Sequence, residues 1–127
     1  MGYVTGFGGT TLIPLVYVAG PFSAPDRAGV EKNIEDAVRV GIEIARLGAM
    51  PVIPHANTAD PWFARVQPYE FWCTGTLELM RRCDAVVMVA GWKRSRGARA
   101  EYEEAIARGM PVFFTLQELQ AWLKRES

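Results

Sequence analysis

Residues 91 to 105, GWKRSRGARAEYEEA, concentrate the side chains in this sequence that could do chemistry. Lys93, Arg94, Arg96, Arg99 and Ser95 crowd a turn around Gly97, and Glu101, Glu103 and Glu104 follow. At ~100° per residue a helix here buries a stripe of Ala98, Tyr102, Ala105 and Ile106. Glu104 then points away from that stripe and Glu103 lies well off it, while Glu101 sits at its edge. Arg99 and Arg108 are placed as i,i+4 partners for Glu103 and Glu104 on a wet surface. Glu101 has only Gly97 and Ala105 at those spacings, so it has no basic neighbour along its helix. A half-buried, unpaired carboxylate suits nucleophilic or acid–base work. Burial would raise its pKa and the helix start would lower it, and the sequence leaves that balance open. A capping or surface role is the plain alternative. Ser95, Arg96 and Gly97 open the helix, where free backbone N–H groups and the dipole favour an anion such as a phosphate. A solvated basic turn is the alternative there.

The elements that must position these groups are legible. Leu15 to Ala19 is an apolar, β-branched run ending in Gly20–Pro21, as in a strand buried on both faces. Pro25 and Asp26 open a helix whose apolar face carries Val30, Ile34, Ala37, Gly41, Ile44 and Ala45, with Gly48 as its stop. MPVIP (50–54) is a second strand, followed by a Pro-, Asn- and Asp-rich loop from His55 to Pro68. A helix over Tyr69–Arg82, a strong strand over Asp84–Val89, a helix over Ala98–Arg108, a strand in PVFFT (111–115) and a last helix capped by Thr115 and Glu118 complete the chain. Alternating elements of this kind make a parallel sheet covered on both faces. Its ligand crevice lies outside the carboxyl ends of the strands, where AGPFS, the His55 loop and GWKRSRG all fall.

The totals bound the class. A chain of 127 residues fits one domain over 14–127, behind a Gly- and Thr-rich lead-in, 1–13, expected to be flexible. GFGG in that lead-in follows no strand and lacks a Walker lysine, so it is not read as a phosphate loop. Acidic and basic residues balance at 14 each, which argues against a nucleic-acid polymer as partner. Cys73 and Cys83 lack a matching Cys or His pair, so no zinc site is expected. No apolar run is long enough to span a membrane and no signal peptide is evident, so a soluble cytoplasmic protein is expected.

VYVAGPFS in the first strand, CDAVVMV in the third and SRGARAEYEEA after it resemble the nucleoside 2-deoxyribosyltransferase superfamily, in particular a small branch with a GW-x-x-S-x-GA-x-x-E turn. The resemblance spans roughly 16–112. It implies an α/β, flavodoxin/Rossmann-like three-layer sandwich with a four- to five-stranded parallel sheet, no metal or organic cofactor, and a homo-oligomer. It also implies N-glycosidic cleavage of a nucleoside or nucleotide. By motif Glu101 is the nucleophile, although Glu103 stands where the family has glycine, and Tyr17 orients it. Substrate contacts are implied for Gly20, Pro21 and Phe22 and for Trp92, Ser95, Arg96, Gly97 and Ala98, and His55, at the carboxyl end of the second strand, is placed for a ligand contact. Serine at 95, where transferases on free nucleosides usually carry aspartate, leans toward a nucleoside 5′-monophosphate and toward hydrolysis. Tyr17 could equally be a packed strand aromatic, Gly20–Pro21 a plain turn, and His55 the partner in a loop hydrogen bond.

One departure matters. The family's aspartate on the helix before the third strand is Thr76 here, and Glu78 lies on another face. Protonation of the leaving base then falls to another group, His55 or Glu70, or activity is weak or lost. A non-catalytic nucleotide-binding module is the rival reading, and an assembly protein on the same scaffold is a third. Asp84 reads as a strand-start residue. Trp62, Phe63 and Trp72 are expected either to stack on a base or to cover the core or a subunit contact.

Overall fold

The computed structural model describes residues 4–7 and 10–126, with side chains from residue 13 onward. Within the lead-in, β1 (Val4–Phe7) and β2 (Thr10–Leu12) pair as an antiparallel ribbon apart from the main sheet. Gly8 and Gly9 of the GFGG stretch lie outside the described residues.

The main sheet is parallel, in the order β4–β3–β5–β6, with β3 at Leu15–Ala19, β4 at Met50–Val52, β5 at Ala85–Met88 and β6 at Val112–Phe113. Tyr17 lies opposite Val52 on one side and Val86 on the other. The two central strands alternate cleanly. Val16, Val18, Ala85 and Val87 face a core shared with α1 (Arg27–Arg46) and α6 (Leu116–Glu126), including Ile44, Leu119 and Trp122. Tyr17, Ala19, Val86 and Met88 face the other core, with Met80 from α4 (Tyr69–Arg81) and Ala105 from α5 (Arg96–Ala107). The result is an α/β three-layer sandwich, as the sequence predicts.

Local chemistry sets the ends. Asp26 caps α1 by accepting from the Gly29 N–H at 2.8 Å. Thr115 and Glu118 form the expected capping box, with Glu118 N–H donating to Thr115 Oγ1 at 3.1 Å and Thr115 N–H to Glu118 Oε1 at 3.2 Å. Asp84 holds the start of β3, accepting from the Leu15 N–H at 2.7 Å.

Three expectations need correction. The 55–68 loop contains two single-turn helices, α2 (Pro54–Asn57) and α3 (Pro61–Ala64), each with proline in its first turn. Ala45 is exposed, because α1 turns its apolar face no further than Ile44. Ile106 is 52% exposed, because α5 packs through Ala98 and Ala105 and its flank lies outside the sheet. No helix among the described residues is long and apolar enough to cross a membrane.

Candidate active site

Between β4 and β5 the chain passes to the far side of β3, so β3 and β5 flank the point where the strand order reverses. Their carboxyl ends meet closely. A Cβ on Gly20 would come within 2.7 Å of the Val89 Cβ, and the Val89 N–H donates to the Ala19 carbonyl at 2.7 Å. Only glycine permits that approach. Gly91 follows β5 with φ +89°, and the turn it makes leads through a short 3₁₀ stretch, Trp92–Arg94, into α5.

Ser95 caps α5, its Oγ accepting from the Ala98 N–H at 3.1 Å. Five residues into that helix Glu101 turns inward, and the buried Tyr17 hydroxyl donates to Glu101 Oε2. Burial pushes the Glu101 carboxyl up to about 7, against the pull of the Tyr17 hydrogen bond. Burial, and the carboxylate beside it, also drive the Tyr17 phenol well above its ordinary range, so it stays a neutral donor. At this carboxyl desolvation thus outweighs the Tyr17 hydrogen bond.

The opposite wall comes from α4. Thr76 reaches the Tyr17 hydroxyl and also donates to the Cys73 carbonyl at 3.0 Å. Tyr69 lies near Cys73, which pushes its phenol up, and near the Arg96 guanidinium, which pulls it down. Sequence reasoning singled out Thr76 as a departure, and the structure brings it into contact with the Tyr17–Glu101 pair. It missed Tyr69 and Cys73, whose spacing with Thr76, i, i+4 and i+7, marks one face of a helix.

The remaining residues divide. Ser95, Arg96, Gly97 and Ala98 gather at the α5 start; Ala98 is buried and Gly97 opens onto free space. Trp92 packs instead against Tyr102 and Phe114, at ring separations of 4.8 and 6.0 Å. His55 is 3% exposed, and its Nε2–H is shared between the Gly20 and Pro21 carbonyls at 3.1 and 3.0 Å. Burial lowers its pKa, so it is neutral with its proton already committed. Phe22 lies against the His55 ring at 5.9 Å. Glu70 is exposed at the start of α4. Trp62 is 76% exposed beneath Arg65, and Phe63 and Phe71 pack on Trp72.

Glu104 pairs with Arg108 as the spacing predicts, and also with Arg81 of α4 at 2.9 Å. Arg99 turns back to the Lys93 carbonyl at 2.9 Å. Among the described residues no group of three His, Cys, Asp or Glu side chains could hold a metal ion.

The fold is that of a parallel α/β domain, with a buried tyrosine–glutamate pair at its switch point. Within that class the chain belongs to the family described as a domain of unknown function, DUF1937, whose model matches residues 14–117. The match runs from the residue before β3 into the first turn of α6, so it contains Tyr17, Thr76 and Glu101. No curated protein matches significantly.

Proposed function

We propose that this protein cleaves the N-glycosidic bond of a nucleoside or a (deoxy)nucleoside 5′-monophosphate, passing the sugar to water or to another base. The observation that carries the reading is the buried Tyr17–Glu101 hydrogen bond at the switch point. Tyr17 occupies Oε2 and fixes the carboxylate, leaving Oε1 to attack C1′ of the sugar. As the C1′–Oε1 bond forms, the C1′–N bond breaks and its electron pair leaves with the base. The transition state is oxocarbenium-like, and a carboxylate in a desolvated site stabilises that charge more than one in water. Water or a second base then attacks C1′ and frees Glu101. A carboxyl titrating at about 7 is about half ionised at neutral pH, so a nucleophilic fraction is present. Ser95 and the α5 start, with Arg94 and Arg96 beside it, suit a 5′-phosphate. The resemblance further supports a homo-oligomer, to which the exposed Trp62 and Val66 surface is suited, and a cytoplasmic location fits the reading of the sequence.

Thr76 favours a second reading, a nucleotide-binding module without turnover, because it brings a hydroxyl rather than an acid to the pair. The test is incubation with a panel of deoxy- and ribonucleosides and their 5′-monophosphates, with free base measured by chromatography. Release by the wild type and none by Glu101→Ala supports the glycosidase. Binding that survives Glu101→Gln, with no base released from any compound, selects the module.

A further inference from the structure

The exit of β3 is held by side chains in an unusual way. Four successive carbonyls, those of Gly20, Pro21, Phe22 and Ser23, are each captured from one side. His55 Nε2–H donates to the first two, and Asn33 Nδ2 donates to the Phe22 and Ser23 carbonyls at 3.0 and 3.4 Å. The held loop abuts the basic turn: a Cβ on Gly91 would lie 3.8 Å from Pro21 Cγ and 3.0 Å from an Arg94 guanidinium nitrogen. Tyr17 stands three residues before this loop on the same strand. We propose that His55 and Asn33 form a clamp on Gly20–Ser23, and that His55 is a positioning residue that sets the β3 side of the Glu101 crevice without touching substrate.

The ring's environment agrees with that role. Two carbonyls at Nε2 require the proton there, which leaves Nδ1 as a bare acceptor, and Nδ1 is buried with no partner among the described residues. Among the described residues burial and the Gly20 and Pro21 carbonyls govern the ring, and no charged side chain acts on it. A proton arriving at Nδ1 would create a buried cation with no acceptor on that side. The sequence-level expectation of a ligand contact at His55 thus gives way to a role one step behind the crevice wall.

The clamp's effect on turnover rests on the glycosidase reading; its effect on the loop does not. His55 is the chain's only histidine, so its imidazole signals in nitrogen-15 NMR are unambiguous. The clamp requires the Nε2–H tautomer. The Nδ1–H tautomer overturns it. Amide order parameters at Phe22, Ser23 and Ala24 are expected near 0.85 in the wild type and in His55→Gln, which keeps a donor. They should fall below about 0.6 in His55→Phe, which keeps the bulk alone. Unchanged order parameters in folded His55→Phe refute the clamp, and if that variant does not fold, the wild-type tautomer still decides. On a substrate that releases base, kcat of His55→Phe should drop about 100-fold, with His55→Gln restoring most of it. If the order parameters respond but no compound is turned over, the clamp stands and the glycosidase reading fails.

Discussion

Replacing Glu101 by glutamine should make this protein more stable, and by an amount that depends on pH. Burial raises the folded-state value of the carboxyl from 4.5 to about 7. Its contribution therefore favours the fold fully below pH 4.5 and is lost as pH rises through about 7. The interval corresponds to about 3 kcal/mol at pH 8, shrinking to about 1 kcal/mol at pH 5. Glutamine is neutral at every pH, keeps an acceptor for the Tyr17 hydroxyl and has the same shape. The other titrating groups are common to both proteins and cancel in the difference. For 127 residues, 1 kcal/mol moves Tm by about 3–4 °C, so Glu101→Gln should melt about 10 °C above the wild type at pH 8 and about 3 °C above it at pH 5. Thermal and urea melts at the two pH values measure this without any substrate. A difference that does not change with pH, or a less stable variant at pH 8, would show that the carboxylate is not held in a desolvated site.

Under the glycosidase reading, kcat/KM should rise with pH through about 7 and level off, because attack needs ionised Glu101. Tyr17→Phe removes the hydrogen bond that holds that carboxyl down, so the acid limb of the same profile should move to higher pH. Ser95→Ala should cost about 1 kcal/mol of stability through the lost cap, whereas Ser95→Asp keeps the cap yet weakens nucleoside monophosphates more than nucleosides; equal loss for both ligands would remove Ser95 from the phosphate site. Gly20→Ala forces a methyl to 2.7 Å from Val89 and should destabilise by about 1–3 kcal/mol in a urea melt, and an unchanged midpoint would mean the strand ends do not meet so closely.

What the sequence carried of this architecture was its periodicity. The apolar run from Leu15 to Ala19 and the one after Asp84 announce strands buried on both faces, and β3 and β5 are those strands. The edge position of Glu101 on α5 was legible because helical spacing relates it to Ala98 and Ala105. Contacts between elements were not. Thr76 is far from Tyr17 in the chain, and only the packing of α4 beside α5 brings its hydroxyl to the phenol. His55 looked like a ligand contact because it ends a strand; nothing local says that two carbonyls of a distant loop consume its proton. Ile106 was misassigned for a related reason: an ideal helical stripe is wider than the strip of α5 that the sheet covers.

The Arg81–Glu104 bridge has a mechanical consequence. It ties α4 to α5 about one turn beyond Glu101, so it acts as the fulcrum of a lever. Along α4, Thr76 lies about 7.5 Å from this pivot and Tyr69 about 18 Å, at 1.5 Å per residue. A swing of about 3° would move Tyr69 by about 1 Å but Thr76 by only about 0.4 Å. Any such swing would therefore displace the Tyr69 end of α4 while leaving Thr76, beside the Tyr17–Glu101 pair, nearly in place.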